Sequence, residues 1–202
     1  TNASSYNSLN KGLVAYYPFN GNANDESGNG EHAINYGATL AADRFASPAK
    51  AYSFDGNDYL QTPVDSNMDN LTLSIWFATS TRSGERSIVD SDVGGAWGHS
   101  LILGYWDSGN TLDIQYHNGE YKSSWSVTDS LWHHAVAVIE PTVVRLYVDG
   151  EFVGSKTYSR GALDYFRQLY LGAGQGRCGS KRWAFGDDHQ FTRKAIYRWF
   201  NP

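Results

Sequence analysis

At 202 residues, with 41% hydrophobic and 15% aromatic content, the chain is long enough to bury a sizeable core and fits one domain rather than two. The formal net charge is -5 and the 16 Lys and Arg form no dense basic run, which excludes a surface built to track a phosphate backbone, so nucleic acid is not an expected partner. No apolar stretch approaches the roughly 18 residues of a membrane-spanning helix, so no membrane insertion is expected, and the single Cys178 excludes an internal disulfide.

Residues 1–11, TNASSYNSLNK, read as a polar lead-in segment carrying the sequon Asn2-Ala3-Ser4. No signal peptide opens the chain, and Thr1 is expected to mark a cut in a longer secreted polypeptide. GLVAYYPF then has the composition of a first strand, ending where Asn and Gly take over in NGNANDESGNGEHA, a loop over 20–33. Within it Asp25, Ser27 and Asn29, followed by Gly30, match the first half of an EF-hand loop, but Tyr36 stands where that motif needs a bidentate Glu. Alternate oxygen-bearing side chains in a tight glycine turn converge on one point, the arrangement a hard cation such as calcium (Ca2+) requires.

SFDGNDYLQTP reads as two short strands around Gly56-Asn57, with Asp55 and Asp58 as turn-making residues. In LTLSIWFA the period-2 alternation puts Leu71, Leu73, Ile75 and Phe77 on one face and Thr72, Ser74, Trp76 and Ala78 on the other. A tryptophan on the second face predicts that it is covered by a loop or lines the concave surface of a sandwich. Residues 89–127 are unusually aromatic around the predicted strands HSLILGY and TLDIQYH. Trp97, Tyr105, Trp106, Tyr121 and Trp125 lie there among Gly, Ser and Asn, with Asp107 beside Trp106. Flat rings suit the apolar faces of pyranoses, and neighbouring Asp, Asn and His orient hydroxyls, so these residues are the candidate ligand-binding set; packing of the rings on the sandwich is the competing reading.

LWHHAVAVIEPTVVRLYVDGEFVGS, residues 131–155, reads as an antiparallel meander. Asp149-Gly150 has the chemistry of a type I′ two-residue turn. His133 and His134 face opposite ways on a strand and cannot chelate one ion together. DYFRQLYLGAG predicts a strand around Gln168 to Gly172, followed by the long loop QGRCGSKRWAFGDD with Trp183 as a further ligand-wall candidate and Cys178 as a free thiol. FTRKAIYRWFNP predicts a last strand and a short helical turn. Leu73, Ile75, Val136 and Leu146 are the expected core residues.

WHHAVAV and LYVDGEFVG, together with GLVAYYPFNGNANDESGNG (12–30), AYSFDGNDYLQTP (51–63), LTLSIWF (71–77) and FGDDHQFTRKAI (185–196), resemble the laminin-G-like jelly-roll domains of the concanavalin A-like lectin/glucanase superfamily. The resemblance covers nearly the whole chain. It implies an all-β fold, a two-sheet antiparallel jelly-roll β-sandwich, as a single domain over 12–202. It also implies a calcium ion held between the DxSGNG loop and a late carboxylate, here Asp187 or Asp188, although Gly186 replaces the large aliphatic residue usual before the late Asp. In the family the WHH motif is structural.

Three functions follow from different classes. One is a non-catalytic carbohydrate-binding, lectin-like module of a secreted or cell-surface adhesin or polysaccharide-degrading enzyme, monomeric and binding a neutral or weakly charged saccharide. Another is a protein-binding or spacer domain of a calcium-stabilised extracellular protein. The third is a polysaccharide lyase or glycoside hydrolase. Hydrolases on this fold alternate paired carboxylates along one strand, as ExDxxE, and no such motif occurs here, so no catalytic residues are assigned.

Overall fold

The computed structural model describes residues 12–55, 58–65, 70–80, 86–91, 101–105, 111–116, 119–159, 168–174, 183–184, 189–192 and 195–198. Among these there is no helix. The strands of the first half are β1 (Leu13–Tyr17), β2 (Ile34–Tyr36), β3 (Thr39–Ala41), β4 (Ala51–Phe54), β5 (Tyr59–Asp65), β6 (Leu71–Thr79), β7 (Arg86–Asp90) and β8 (Leu101–Tyr105). Then come β9 (Thr111–Tyr116), β10 (Gly119–Ser126), β11 (Trp132–Glu140), β12 (Val143–Val148), β13 (Glu151–Thr157) and β14 (Gln168–Leu171). The last are β15 (Ala173–Gly174), β16 (Trp183–Ala184), β17 (His189–Thr192) and β18 (Ala195–Arg198).

A 9-stranded sheet runs β13-β12-β11-β6-β17-β4-β3, with β18 pairing both β1 and β6 beside that path. A 7-stranded sheet runs β10-β9-β8-β7-β14-β5-β2, and β15 pairs with β16 apart from both. All pairings are antiparallel. The expected jelly-roll sandwich is what the chain forms. β4 and β5 lie on either side of Gly56-Asn57 as expected, but in different sheets, so the chain passes from one layer to the other between them. QGRCGSKRWAFGDD is not wholly loop, because Trp183 and Ala184 pair with Gly174 and Ala173. The helical turn expected after Arg198, and Cys178, lie outside the described residues.

The core fills the space between the sheets. Leu71, Leu73, Ile75 and Phe77 of β6 are buried, as the alternation predicts, and so are Ile88, Val89, Leu103, Leu112 and Ile114 from the facing sheet. The Asp149-Gly150 turn has φ of 51 and 90, the two positive values a type I′ turn needs, and sets Val148 opposite Glu151.

One expected core residue is misplaced. Leu73, Ile75 and Leu146 are buried, but Val136 is half-buried on the outer face, and the inward positions of β11 are Ala135, Ala137 and Ile139. The register explains it: Ala135 pairs with Ile75 and Ala137 with Leu73, so small residues sit opposite large ones and the inner layer keeps its volume.

Candidate functional site

The 20–33 loop is organised by one carboxylate. Asp25 is 6% exposed, and four donors fill its acceptor positions. Oδ1 accepts the Tyr16 and Ser27 backbone N–H groups at 2.8 Å each. Oδ2 accepts the Ser27 hydroxyl at 2.7 Å and the Glu31 N–H at 3.1 Å. Burial pushes the Asp25 pKa up, but the hydrogen bonds from Tyr16, Ser27 and Glu31 outweigh it and hold the acid below its usual value. Asn29 donates its amide to the Leu13 and Val14 carbonyls at 2.7 and 2.8 Å, stitching the loop to β1.

The three residues expected as calcium ligands therefore do come together. They come together around their own hydrogen bonds, with four protein donors on the Asp25 carboxylate, so a cation there would compete with those donors. The other half of the expected site, Asp187 and Asp188, lies outside the described residues.

Of the candidate ligand-binding rings, Trp97 and Trp106, with Asp107, lie outside the described residues; Tyr105 is at the end of β8 and Trp183 in β16. Tyr121 and Trp125 are on β10, and both are half-buried and packed against the core. The Tyr121 hydroxyl donates to the Val153 carbonyl at 2.5 Å, tying the edge of one sheet to β13 of the other. Gly154 makes room for this ring, since a Cβ there would stand 2.1 Å from the hydroxyl oxygen. At these two positions the packing reading holds.

The exposed rings are elsewhere. On the outer face of the 7-stranded sheet, Tyr36 of β2 pairs with Tyr59 of β5, and Tyr170 of β14 pairs with Gln61 one position along the same face. Tyr36 and Tyr59 stack with centroids 4.6 Å apart at 16°, and Tyr59 meets Tyr170 at 5.9 Å and 60°. Tyr36 is 42% exposed and Ile34 beside it 56%, whereas Tyr170 is buried at the inner end of the row. Burial, with Tyr59 and Tyr36 adding to it, pushes the Tyr170 phenol up and keeps it protonated. Gln61 donates its amide to Gln168 at 2.5 Å, a contact that uses one group on each side chain. The result is a short aromatic stack beside a pair of amides, with the exposed Tyr36 ring at its outer end.

The outer face of the other sheet carries a different row. The Trp76 ring stacks on His134 of β11 at 4.8 Å and 14°, and the Arg44 guanidinium lies 4.3 Å from the Trp76 centroid and 4.2 Å from that of Phe45. Here the sequence expectation holds, because the loop over 42–50 covers the Trp76 face. His134 Nε2 is 2.8 Å from the Ser74 hydroxyl.

On the inner face of the same strand His133 is a structural clamp, as the motif implied. It bridges Asp149 through Nδ1 at 2.7 Å and Asp129 through Nε2 at 3.1 Å. Burial lowers its pKa, but the hydrogen bonds and charges of Asp149 and Asp129 raise it further than burial lowers it, so the imidazolium is favoured. His134 goes the other way, lowered by burial and by Arg44 against a smaller pull from Asp149.

Residues 54–187 match the laminin G-like family of the concanavalin A-like lectin/glucanases superfamily, and the chain belongs to that family. No curated protein sequence matches it. Among solved structures it is similar to domain 4 of AbnA, a GH43 extracellular arabinanase from Geobacillus stearothermophilus solved in complex with arabinotriose. The identity there is 17%, the TM-score is 0.66, and 91% of this chain covers 93% of that one. The binding domain of Paraclostridial Mosquitocidal Protein 1 is similar at 14% identity and TM-score 0.70, with 96% of this chain covering 50% of that one. The botulinum neurotoxin serotype D binding domain is similar at 14% identity and TM-score 0.67, with 95% covering 49%. The chain thus spans about half the length of the toxin binding domains and nearly all of the arabinanase domain. At these identities the likeness is one of fold.

Proposed function

We propose that this domain is a non-catalytic carbohydrate-binding module of a larger secreted or cell-surface protein, and that it takes a neutral saccharide at the exposed Tyr36 end of the Tyr36–Tyr59–Tyr170 row. The carrying observation is the stack itself: parallel Tyr36 and Tyr59 rings at 4.6 Å on an outer sheet face, with the outermost ring, Tyr36, exposed and Gln61 and Gln168 nearby. Sugar rings present apolar C–H faces and equatorial hydroxyls, and such a surface meets both. The family membership and the arabinotriose complex of the similarly sized arabinanase domain support the reading, as does the similar binding domain of botulinum neurotoxin DC in complex with SialylT.

A binding rather than catalytic role is supported by the sequence, which has no ExDxxE run; in hydrolases on this fold such a run places acid and nucleophile across the glycosidic bond. The test is a neutral-glycan array on the wild type, followed by titration of the best ligand into Tyr36→Ala. Binding by the wild type that is lost in a folded Tyr36→Ala supports the reading. Undiminished binding by that variant overturns the site, and an empty array overturns the function.

A further inference from the structure

Arg44 stands out among the charged side chains of the outer faces. Its guanidinium lies over both the Trp76 and Phe45 rings, 4.3 and 4.2 Å from their centroids, and among the described residues it makes no ion pair and no hydrogen bond. Arg145 on the same sheet, by contrast, is paired with Glu140. With rings packed against the guanidinium carbon, its N–H groups remain the part that meets an acceptor, and a guanidinium fork reads an oxyanion bidentately. The ring faces also strip water from the cation, so the donors gain more from a charged acceptor than they would on an open side chain.

The surroundings hold this fork in place. Asp43, buried at 4% exposure, accepts the backbone N–H groups of Phe45 and Ser47 at 2.9 Å each and fixes the turn that presents Arg44. Ala46 and Ala49 in the same turn hold φ of 58 and 55, a left-handed backbone that L-residues keep only where neighbouring contacts impose it. From the other side His134 stacks on Trp76 and is itself anchored by Ser74. The row His134, Trp76, Arg44, Phe45 is therefore preorganised, and it ends in an exposed ring, since Phe45 is 64% exposed.

We infer that the Arg44 fork, with the Phe45 ring beside it, is a second binding site, selective for an oxyanion carried on a saccharide: the carboxylate of a uronic acid or a sulfate ester. This rests on the carbohydrate reading of the domain but not on its site, because the Tyr36 strip lies on the outer face of the opposite sheet. The net charge of -5 gives no long-range attraction for such ligands, so recognition is local and short-ranged, and salt weakens it.

The experiment titrates the wild type with oligogalacturonate, its methyl ester, a sulfated oligosaccharide, an acidic peptide of equal charge and a neutral oligosaccharide bound by the Tyr36 strip. The titrations are run at low and high salt. Binding of the acidic or sulfated sugar, lost on methyl esterification and weakened by salt, is the expected wild-type result, and it stands whatever any variant does. Arg44→Met, which keeps a long apolar stem between the rings, is expected to lose roughly 10-fold or more in affinity for the acidic sugar while keeping the neutral one. Arg44→Lys, a charge without a fork, is expected to lose most of that too.

The inference is overturned if the acidic sugars do not bind, if the ester binds equally, or if folded Arg44→Met binds the acid as the wild type does. Preference for the acidic peptide would make the face a protein-docking surface and equally overturn it. Failure of the neutral sugar alone leaves this site standing and removes only the Tyr36 strip.

Discussion

Two groups of aromatic residues, alike in type and in their polar surroundings, have opposite fates in this fold. Tyr121 and Trp125 on β10 pack against the core, and Tyr121 joins the two sheets, whereas Tyr36 and Tyr59 turn outward from the far edge of the same sheet and stack there. The difference is one of strand parity: successive residues alternate faces, so a ring's role is decided by its register and not by the Gly and Asn around it. An aromatic-rich stretch is evidence for a ligand site only after its pairing is known. His133 and His134 repeat the lesson within one dipeptide, one clamped by carboxylates in the interior and the other stacked outside.

The largest expected effect is on the inward ring. Tyr121→Ala removes a packed ring and its bond to Val153, and it should cost about 2 to 4 kcal/mol in urea unfolding. If Tyr121→Ala melts with the wild type, the ring is not part of the packing and returns to the ligand candidates.

Next comes the inner histidine. Its folded pKa is raised above the ordinary value of 6.5, so its contribution is complete below that value and is lost as pH rises through the raised one. Asp149→Asn keeps a turn residue suited to positive φ but removes one of the two carboxylates. The variant should be less stable than the wild type by roughly 1 to 2 kcal/mol near pH 6, and the gap should narrow toward pH 9. A gap independent of pH across that range would mean that His133 is neutral.

The smallest stability effect is expected from chelation. Because protein donors already fill Asp25, EDTA should leave the melting temperature unchanged. Acid should act where EDTA does not: the Asp25 pKa is lowered from 3.8, so its contribution is present above that value and is lost as pH falls through the depressed one. A fall of several degrees on chelation would place a cation at this loop or elsewhere in the domain.

Much of the sandwich was legible because its signals are local. The Asp149-Gly150 turn and the alternation of β6 each fit within a few residues, and both are as expected. Val136 reads as core from the sequence but lies on the outer face, because Ala135 and Ala137 alternate with Val136 and Val138 and both faces of β11 are apolar. Only the register against Ile75 and Leu73 shows that the small residues belong inside. The convergence of Asp25, Ser27 and Asn29 was legible from their spacing, but the N–H groups that satisfy the carboxylate belong to the backbone and leave no trace in the side-chain pattern.

The tyrosine strip carried no local signal at all. Tyr36, Tyr59 and Tyr170 meet only through the pairing of β2 with β5 and of β5 with β14, and each alone looks like an ordinary strand tyrosine. The Arg44 row depends in the same way on a loop folding back over β6.

The most direct test of the central claim, that outward rings bind and inward rings hold the fold, is calorimetric titration of one neutral oligosaccharide into Tyr36→Ala and Trp125→Ala, with the melting temperature of each sample taken alongside. The account predicts that Tyr36→Ala melts with the wild type and loses binding at least about 10-fold, and that Trp125→Ala melts lower while its folded fraction binds normally. The reverse pattern, binding lost in Trp125→Ala and intact in Tyr36→Ala, would contradict it.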